Sequence, residues 1–138
     1  MKELLYKSIY RKIYYHRDKN MMLMNYFEAS SGYSDEDYKK EEIIFRDLLD
    51  EKGAISCYVD TLNFNYIITP EIQKWVTEIA NSVLREDKLK KLAVLVSENL
   101  FTDVSVRQMA DKFEEAEENT CQIQHFTSKK SAITWLFE

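Results

Sequence analysis

An α/β fold is what this sequence predicts, and three observations predict it. Segments with helical periodicity alternate with short runs rich in β-branched and aromatic residues. Leu92-Ala93-Val94-Leu95-Val96 is an unbroken apolar run, the sign of a strand covered on both faces by helices. A hydrophobic fraction of 45% with only 2 Gly and 1 Pro argues against disorder and against turn-rich all-β classes. A chain of 138 residues fits one domain, spanning 1–138. At that length folding buries roughly two-thirds of the unfolded surface, enough for a core without metal or disulfide staples.

Leu5 to His16 and Asn20 to Ala29 read as two strands, joined by the polar break Arg17-Asp18-Lys19-Asn20 into an antiparallel hairpin. In the first, Ile9, Arg11, Ile13 and Tyr15 share one face and Tyr10, Lys12, Tyr14 and His16 the other. Met21-Met22-Leu23-Met24 is adaptable apolar surface, read as core filler rather than a ligand pocket. Ser30-Ser31-Gly32-Tyr33 is a turn, after which Ser34 and Asp37 form a capping box. The helix that follows carries Tyr38, Ile44, Phe45, Leu48 and Leu49 as its apolar stripe and stops at Gly53. Ala54 to Asp60 then alternates Ile55, Cys57 and Val59 as a strand.

The stretch from Tyr58 to Trp75 organises the rest, because it reads as strand, polar crossing and capped helix start. Thr69 can accept from an orphan amide of the first turn, Pro70 presets φ, and Glu71 sits beside the positive end of the helix dipole. Ile72, Trp75, Val76, Ile79, Ala80, Val83 and Leu84 make one stripe, while Gln73, Lys74, Thr77, Glu78, Ser82 and Arg85 take the other face. Leu92 to Val96 follows as the expected centre of the sheet.

Ser105 with Gln108 forms a second capping box, with Val106, Met109, Ala110, Phe113 and Ala116 at helical spacing. Cys121, Ile123 and His125 alternate as an edge strand, and Ser128 caps a terminal helix burying Ala132, Ile133, Trp135 and Leu136. The order β-β-α-β-α-β-α-β-α gives a mixed sheet of about five strands with about four helices, right-handed crossovers and parallel later strands.

The formal charge of -5 and pI near 5.2 offer no basic face, so nucleic acid and anionic membranes are not expected partners. Lys88, Lys90 and Lys91 solvate a loop, and Glu114, Glu115, Glu117 and Glu118 a helix face. Cys57 and Cys121 lack C-x-x-C spacing and read as packed, reduced thiols. Met1 to Tyr6 holds no apolar h-region, and no stretch approaches the roughly 20 apolar residues of a membrane span, which points to the cytoplasm.

With only Gly32 and Gly53, no Gly-rich phosphate loop can form, and no G-x-S-x-G or H-E-x-x-H motif is present. His16 and His125 are distant strand residues, read as structural, and no metal or cofactor is expected. Open parallel sheets bind ligands outside the carboxyl ends of their strands, which here gathers Asp60, Thr61, Asn63, Ser97, Glu98, Asn99 and Thr127 at one edge. Phe64, Tyr66 and Trp75 are candidate aromatic anchors beside it. Closed apolar packing at that edge would point to protein assembly, and a deep mixed-polarity pocket to a ligand or catalysis.

An opening hairpin, Asp60 before a crossing into Thr69-Pro70, then Gln73, Trp75, and Phe101, Val104, Ser105 and Gln108 opening a later helix together resemble the SpoIIAA-like family. That family is related to STAS domains and has been compared with Sec14-like lipid carriers. The resemblance spans nearly the whole chain and implies a small, non-enzymatic bacterial regulatory or binding module for a protein partner or small apolar ligand. In anti-sigma-factor antagonists of the STAS class, an Asp is followed by Asp-Ser-Ser-Gly, whose first Ser is phosphorylated. Here Asp60 matches the first Asp and Thr69 falls near that Ser, while Ile68 replaces the second Asp and Pro70-Glu71 replaces Ser-Gly. Thr69 is therefore expected to act as a helix cap, with a phospho-switched regulator as the alternative. An enzyme using Asp60 or Glu98 and a structural homodimer are the competing classes.

Overall fold

Local capping decides where the first elements begin and end. Asn20 adopts a left-handed conformation (φ 48) after a short 3-10 turn at Arg17–Lys19, and so folds one strand back on the next. Ser34 caps the first helix by accepting from the Asp37 amide at 3.0 Å. Gly53 (φ 60) ends that helix with its N-H on the Leu49 carbonyl at 3.0 Å. The computed structural model describes residues 2–85, 89–96, 107–108, 111 and 121–138.

The sheet is mixed and 6-stranded, in the order β1-β2-β3-β4-β5-β6. β1 (Lys2–Lys7), β2 (Arg11–His16) and β3 (Met21–Tyr26) are antiparallel. β4 (Ser56–Asp60), β5 (Lys91–Leu95) and β6 (Gln122–Phe126) continue from β3 in parallel. α1 (Asp35–Lys52) and α2 (Pro70–Arg85) pack against each other, and α3 (Lys129–Leu136) lies over β4, β5 and β6. Two cores result. The larger contains Ile13, Met22, Met24, Cys57, Val59, Val94 and Ile123 beneath Tyr38, Leu49, Ile72 and Val76. The smaller contains Met21, Leu23, Tyr58, Ala93 and Leu95 with Ala132 and Leu136 of α3. Met21 to Met24 thus fills core on both faces of β3.

Three details differ from the sequence reading. The segment read as one strand from Leu5 to His16 is two, folded back at Ser8-Ile9-Tyr10, which raises the sheet from about five strands to 6. Ser8 makes that turn: its Oγ accepts from the amides of Tyr10 (3.1 Å) and Arg11 (3.3 Å). Ile9, placed by alternation on one face with Arg11, Ile13 and Tyr15, is instead 70% exposed in the turn. Second, the apolar β5 is the penultimate strand, and the middle of the sheet falls at β3 and β4. An apolar run reports cover on both faces, which β5 has, and says nothing of lateral position.

Third, periodicity puts Gln73 on the polar face of α2, yet it is 1% exposed and donates from Nε2 to the Ile68 carbonyl at 2.8 Å and to Gln108 Oε1 at 3.1 Å. A carbonyl of the preceding loop satisfies the amide, so the buried arc of the helix is wider than its apolar stripe. The helix read from Val106 to Ala116 lies outside the described residues apart from Arg107, Gln108 and Asp111, which are helical. The charge readings at Lys88 and at 114–118, and the side chains of Ala80, Val83 and Leu84, lie outside them too.

β6 is an edge strand, and Ser128 caps α3 by accepting from the Ser131 amide at 3.4 Å. Both cysteines are buried and neither is in a disulfide, and burial pushes the Cys57 thiol well up from its ordinary value. Among the described residues no helix is long and apolar enough to cross a membrane. Thr69 Oγ1 accepts from the Ile72 amide at 3.4 Å at the start of α2. Thr69→Ala should therefore lower stability by about 1 kcal/mol and Thr69→Asn by less, since Asn can still cap; urea unfolding of both variants checks this.

Candidate functional site at the carboxyl edge of the sheet

The parallel register brings the ends of β3, β4, β5 and β6 to one edge, where Tyr26, Asp60, Leu95 and Phe126 close their strands. The crossing 61–69 from β4 to α2 runs along that edge and is pinned at nearly every step. Thr61 donates both its amide and its Oγ1 to the Leu95 carbonyl, at 3.0 and 2.6 Å. Asp60 Oδ1 accepts from the Leu62 amide at 2.9 Å. Ser30 Oγ donates to the Asn63 carbonyl at 3.0 Å and accepts from the Asn65 amide at 3.3 Å. The Tyr66 hydroxyl donates to Asp35 Oδ1 in the first turn of α1.

From Asn63 to Ile68 the crossing alternates like a strand. Phe64, Tyr66 and Ile68 point inward and are buried, Ile67 (56% exposed) faces solvent, and Leu62 (47%) is exposed in the turn that precedes them. Inside, the Phe64 ring lies 4.4 Å from Tyr26, Tyr66 lies 4.7 Å from Tyr38, and Tyr10 stacks on Tyr33 at 4.2 Å. Aromatic pairs at such spacings add about 0.5–1.5 kcal/mol each beyond their burial. The edge at β3 and β4 is consequently closed by packing.

Behind the aromatic layer sits a buried ionic cluster. Arg11, 0% exposed, lies with Nε 3.5 Å from Glu41 Oε1 and Nη1 3.5 Å from Glu42 Oε1. Its Nη2 donates to the Glu41 carbonyl, and its guanidinium carbon sits 5.6 Å from the centre of the Phe45 ring. Glu41 accepts from the hydroxyls of Tyr6, Ser8 (2.8 Å) and Tyr33 (3.2 Å). Burial raises the Glu42 carboxyl above its ordinary value, Arg11 opposes that shift, and Glu41 adds to it. Burial likewise raises Tyr33 and Tyr38. Desolvation pulls Arg11 down, but Tyr26, Glu42, Tyr33 and Glu41 together outweigh it and the guanidinium stays charged. With no exposed surface on Arg11, the cluster braces the edge from within.

At the other end of the same edge, a cavity of about 280 Å³ opens between β5, β6 and α3, lined by Val96, Arg107, His125, Phe126, Thr127, Ser128 and Ser131. That volume is near the lower end of the roughly 300–1,000 Å³ of small-molecule sites.

Of the residues expected from sequence, Asp60, Thr61 and Asn63 come together on the crossing, with the Thr61 hydroxyl spent on a backbone carbonyl. Phe64 and Tyr66 belong to the core, so they are not surface anchors: strand-like alternation turns them inward. Trp75 is half-buried against the larger core with Lys39 Nζ 5.2 Å from its ring centre. Thr127 lines the cavity apart from the crossing. Ser97, Glu98 and Asn99 lie outside the described residues.

Sequence reasoning missed Leu62 and Ile67 as the outward apolar residues, and missed the Arg11 cluster. A signal for the cluster was present. Arg11 interrupts the buried alternation of Ile13 and Tyr15, while Glu41 and Glu42 fall three and four places after Tyr38, on its face of α1. Among the described residues no group of three or more His, Cys, Asp or Glu is placed to hold a metal ion. Comparison with protein-family models, with curated proteins and with solved structures finds no match.

Proposed function

We propose that this chain is a non-enzymatic recognition module, of the SpoIIAA-like kind its motifs resemble, that binds a protein partner through the carboxyl edge with Leu62 and Ile67 as the apolar contacts. The observation that carries the reading is the pinned crossing, which holds two exposed aliphatic side chains outward on a loop whose inward residues are core. A loop already fixed by packing loses little conformational freedom on association, so less of the gain from burying the exposed half of each side chain is offset by ordering. Asp60 and Thr61, at the start of the crossing, are held in backbone hydrogen bonds, which suits a scaffold role better than acid-base work.

Photo-crosslinking in the source cells tests this. A benzophenone side chain placed at Leu62 or Ile67 should yield a discrete adduct that is absent when the same group replaces Ile43 or Ile55, which are 38% and 46% exposed elsewhere. Adducts of equal yield from every position, or none at 62 and 67, would contradict it.

A second reading has its own observation, the mixed-polarity cavity at β5 and β6. If a small ligand occupies it, native mass spectrometry of protein from its host will show a defined added mass that Phe126→Ala removes.

A further inference from the structure

The sheet has a second, half-finished face. Register places Lys2, Leu4 and Lys7 of β1 opposite His16, Tyr14 and Lys12 of β2, and Lys12, Tyr14 and His16 opposite Asn25, Leu23 and Met21 of β3. These residues share the face on which α3 covers β4, β5 and β6. Over β1 and β2 that cover stops: Leu4 is 51% exposed and Tyr14 only partly buried. Just past α3, Phe137 is 47% exposed, with Lys19 Nζ 5.0 Å from its ring centre.

The charge on this half is one-sided. Lys2 and Lys12 hold Nζ 5.0 and 5.3 Å from the Tyr14 ring centre, and Lys12 also lies 5.9 Å from Phe27. Lys7 stands directly across from Lys12, a like-charge cross-strand pair of the kind that destabilises a sheet. None of the inter-strand positions on this face of β1, β2 or β3 is acidic. Glu3 points to the opposite face and pairs with Arg17 at 3.8 Å. In a chain of net charge -5 this is a marked segregation.

We propose that this face docks an acidic amphipathic helix of a partner protein, lying beside α3 and completing the second helical layer. Width and charge both select that occupant. Met21 and Leu23 of β3 are already buried with Ala132 and Leu136 of α3, so the open strip is β1 and β2. Two strands, each taking about 4.8 Å across the sheet, make it roughly 10 Å wide, close to the diameter of one helix with its side chains. Strands of 6 residues are about 20 Å long, which matches roughly 13 residues of helix. An apolar stripe on that helix would meet Leu4, Tyr14 and Phe137, and flanking carboxylates would relieve the Lys7 and Lys12 repulsion. The face is separate from the crossing 61–69, so this docking does not depend on the partner proposed there.

The test uses the full chain and a synthetic peptide of about 14 residues with a Leu stripe flanked by Glu. Two controls are the same peptide with Lys for Glu and with Ser for Leu. Backbone amide shifts should move in β1 and β2 and not in the crossing, with binding weakening as salt rises. Leu4→Ser, and separately Lys7→Glu with Lys12→Glu, should each weaken binding roughly tenfold or more. Lys7→Ser with Lys12→Ser is the milder check should charge reversal lower the melting temperature. Neither control peptide should bind. Equal binding of the Lys peptide, shifts elsewhere, or affinities unchanged by the variants would overturn the proposal. So would binding of oligo(dT) or phosphatidylserine vesicles without binding of the acidic peptide, or a dimer of this chain buried on the same face.

Discussion

Arg11→Met is expected to destabilise the protein by about 3–5 kcal/mol, the loss typical of breaking a buried ion pair by removing one partner. The guanidinium is the only cation within ion-pair range of Glu41 and Glu42 among the described residues, and both carboxylates are nearly inaccessible to water. Methionine fills similar space against Met24 and Phe45 but leaves the carboxylates uncompensated. Restoring neutrality with Glu41→Gln and Glu42→Gln in the same chain should recover most of the loss. A neutral cluster of similar volume is often as stable as the charged one.

The pH dependence has a definite sign. Burial raises the Glu42 carboxyl in the folded state above its ordinary 4.5, so the folded form binds this proton more tightly than the unfolded form. Its contribution to stability is fully present below 4.5 and is lost as pH rises through the folded value. Removing Arg11 takes away the charge that opposes the shift, so the variant should lose stability more steeply with rising pH than the parent, and the gap between them should narrow in acid. Urea unfolding across the acid to neutral range measures both curves. A loss under about 1 kcal/mol, or one independent of pH, would contradict the account of the cluster.

Phe64→Ala should lower stability by about 3–5 kcal/mol, whereas Leu62→Ala and Ile67→Ala should each stay within about 0.5 kcal/mol. Phe64 is 4% exposed and lies against Tyr26, Tyr38 and Tyr66, so its removal opens a cavity that pinned neighbours cannot fill. Leu62 and Ile67 are about half exposed and bury far less than Phe64. The same substitutions should rank in the reverse order for partner binding, provided the Phe64 variant is assayed well below its melting temperature. Thermal unfolding gives the first ranking directly; similar losses at all three positions would mean that Phe64 is not the inward residue and Leu62 and Ile67 the outward ones.

Much of the fold was legible because its signals are local. Ser34, Gly53 and Ser128 announce helix ends through their own hydrogen-bonding and backbone chemistry, and all three act as read. The alternation of Arg11, Ile13 and Tyr15 reported a half-buried strand correctly. The first turn escaped because Ser8 does with one hydroxyl what Gly, Asn or Asp usually announces by type.

The site was legible as a place but not as a surface. Asp60, Thr61 and Asn63 fall at the carboxyl edge because strand order and direction dictate it. Which crossing residues face outward depends on Ser30, Asp35 and Leu95, which hold the loop from distant parts of the chain. Asn63 and Asn65 make the segment look like a solvated link, although their backbone groups are fixed to Ser30. Gln73 shows the same limit, since its burial rests on the Ile68 carbonyl that the loop brings to it.

Native-state hydrogen exchange of the crossing tests most directly whether this edge is a rigid platform. The amides of Thr61, Leu62, Phe64 and Asn65 are all hydrogen-bonded, the first to β5 and the last to Ser30. They should therefore exchange only through large openings, with protection close to that of Cys57 and Val59 in β4. Exchange of these amides at the rates of an open loop, while β4 stays protected, would contradict the pinned crossing and the recognition surface built on it.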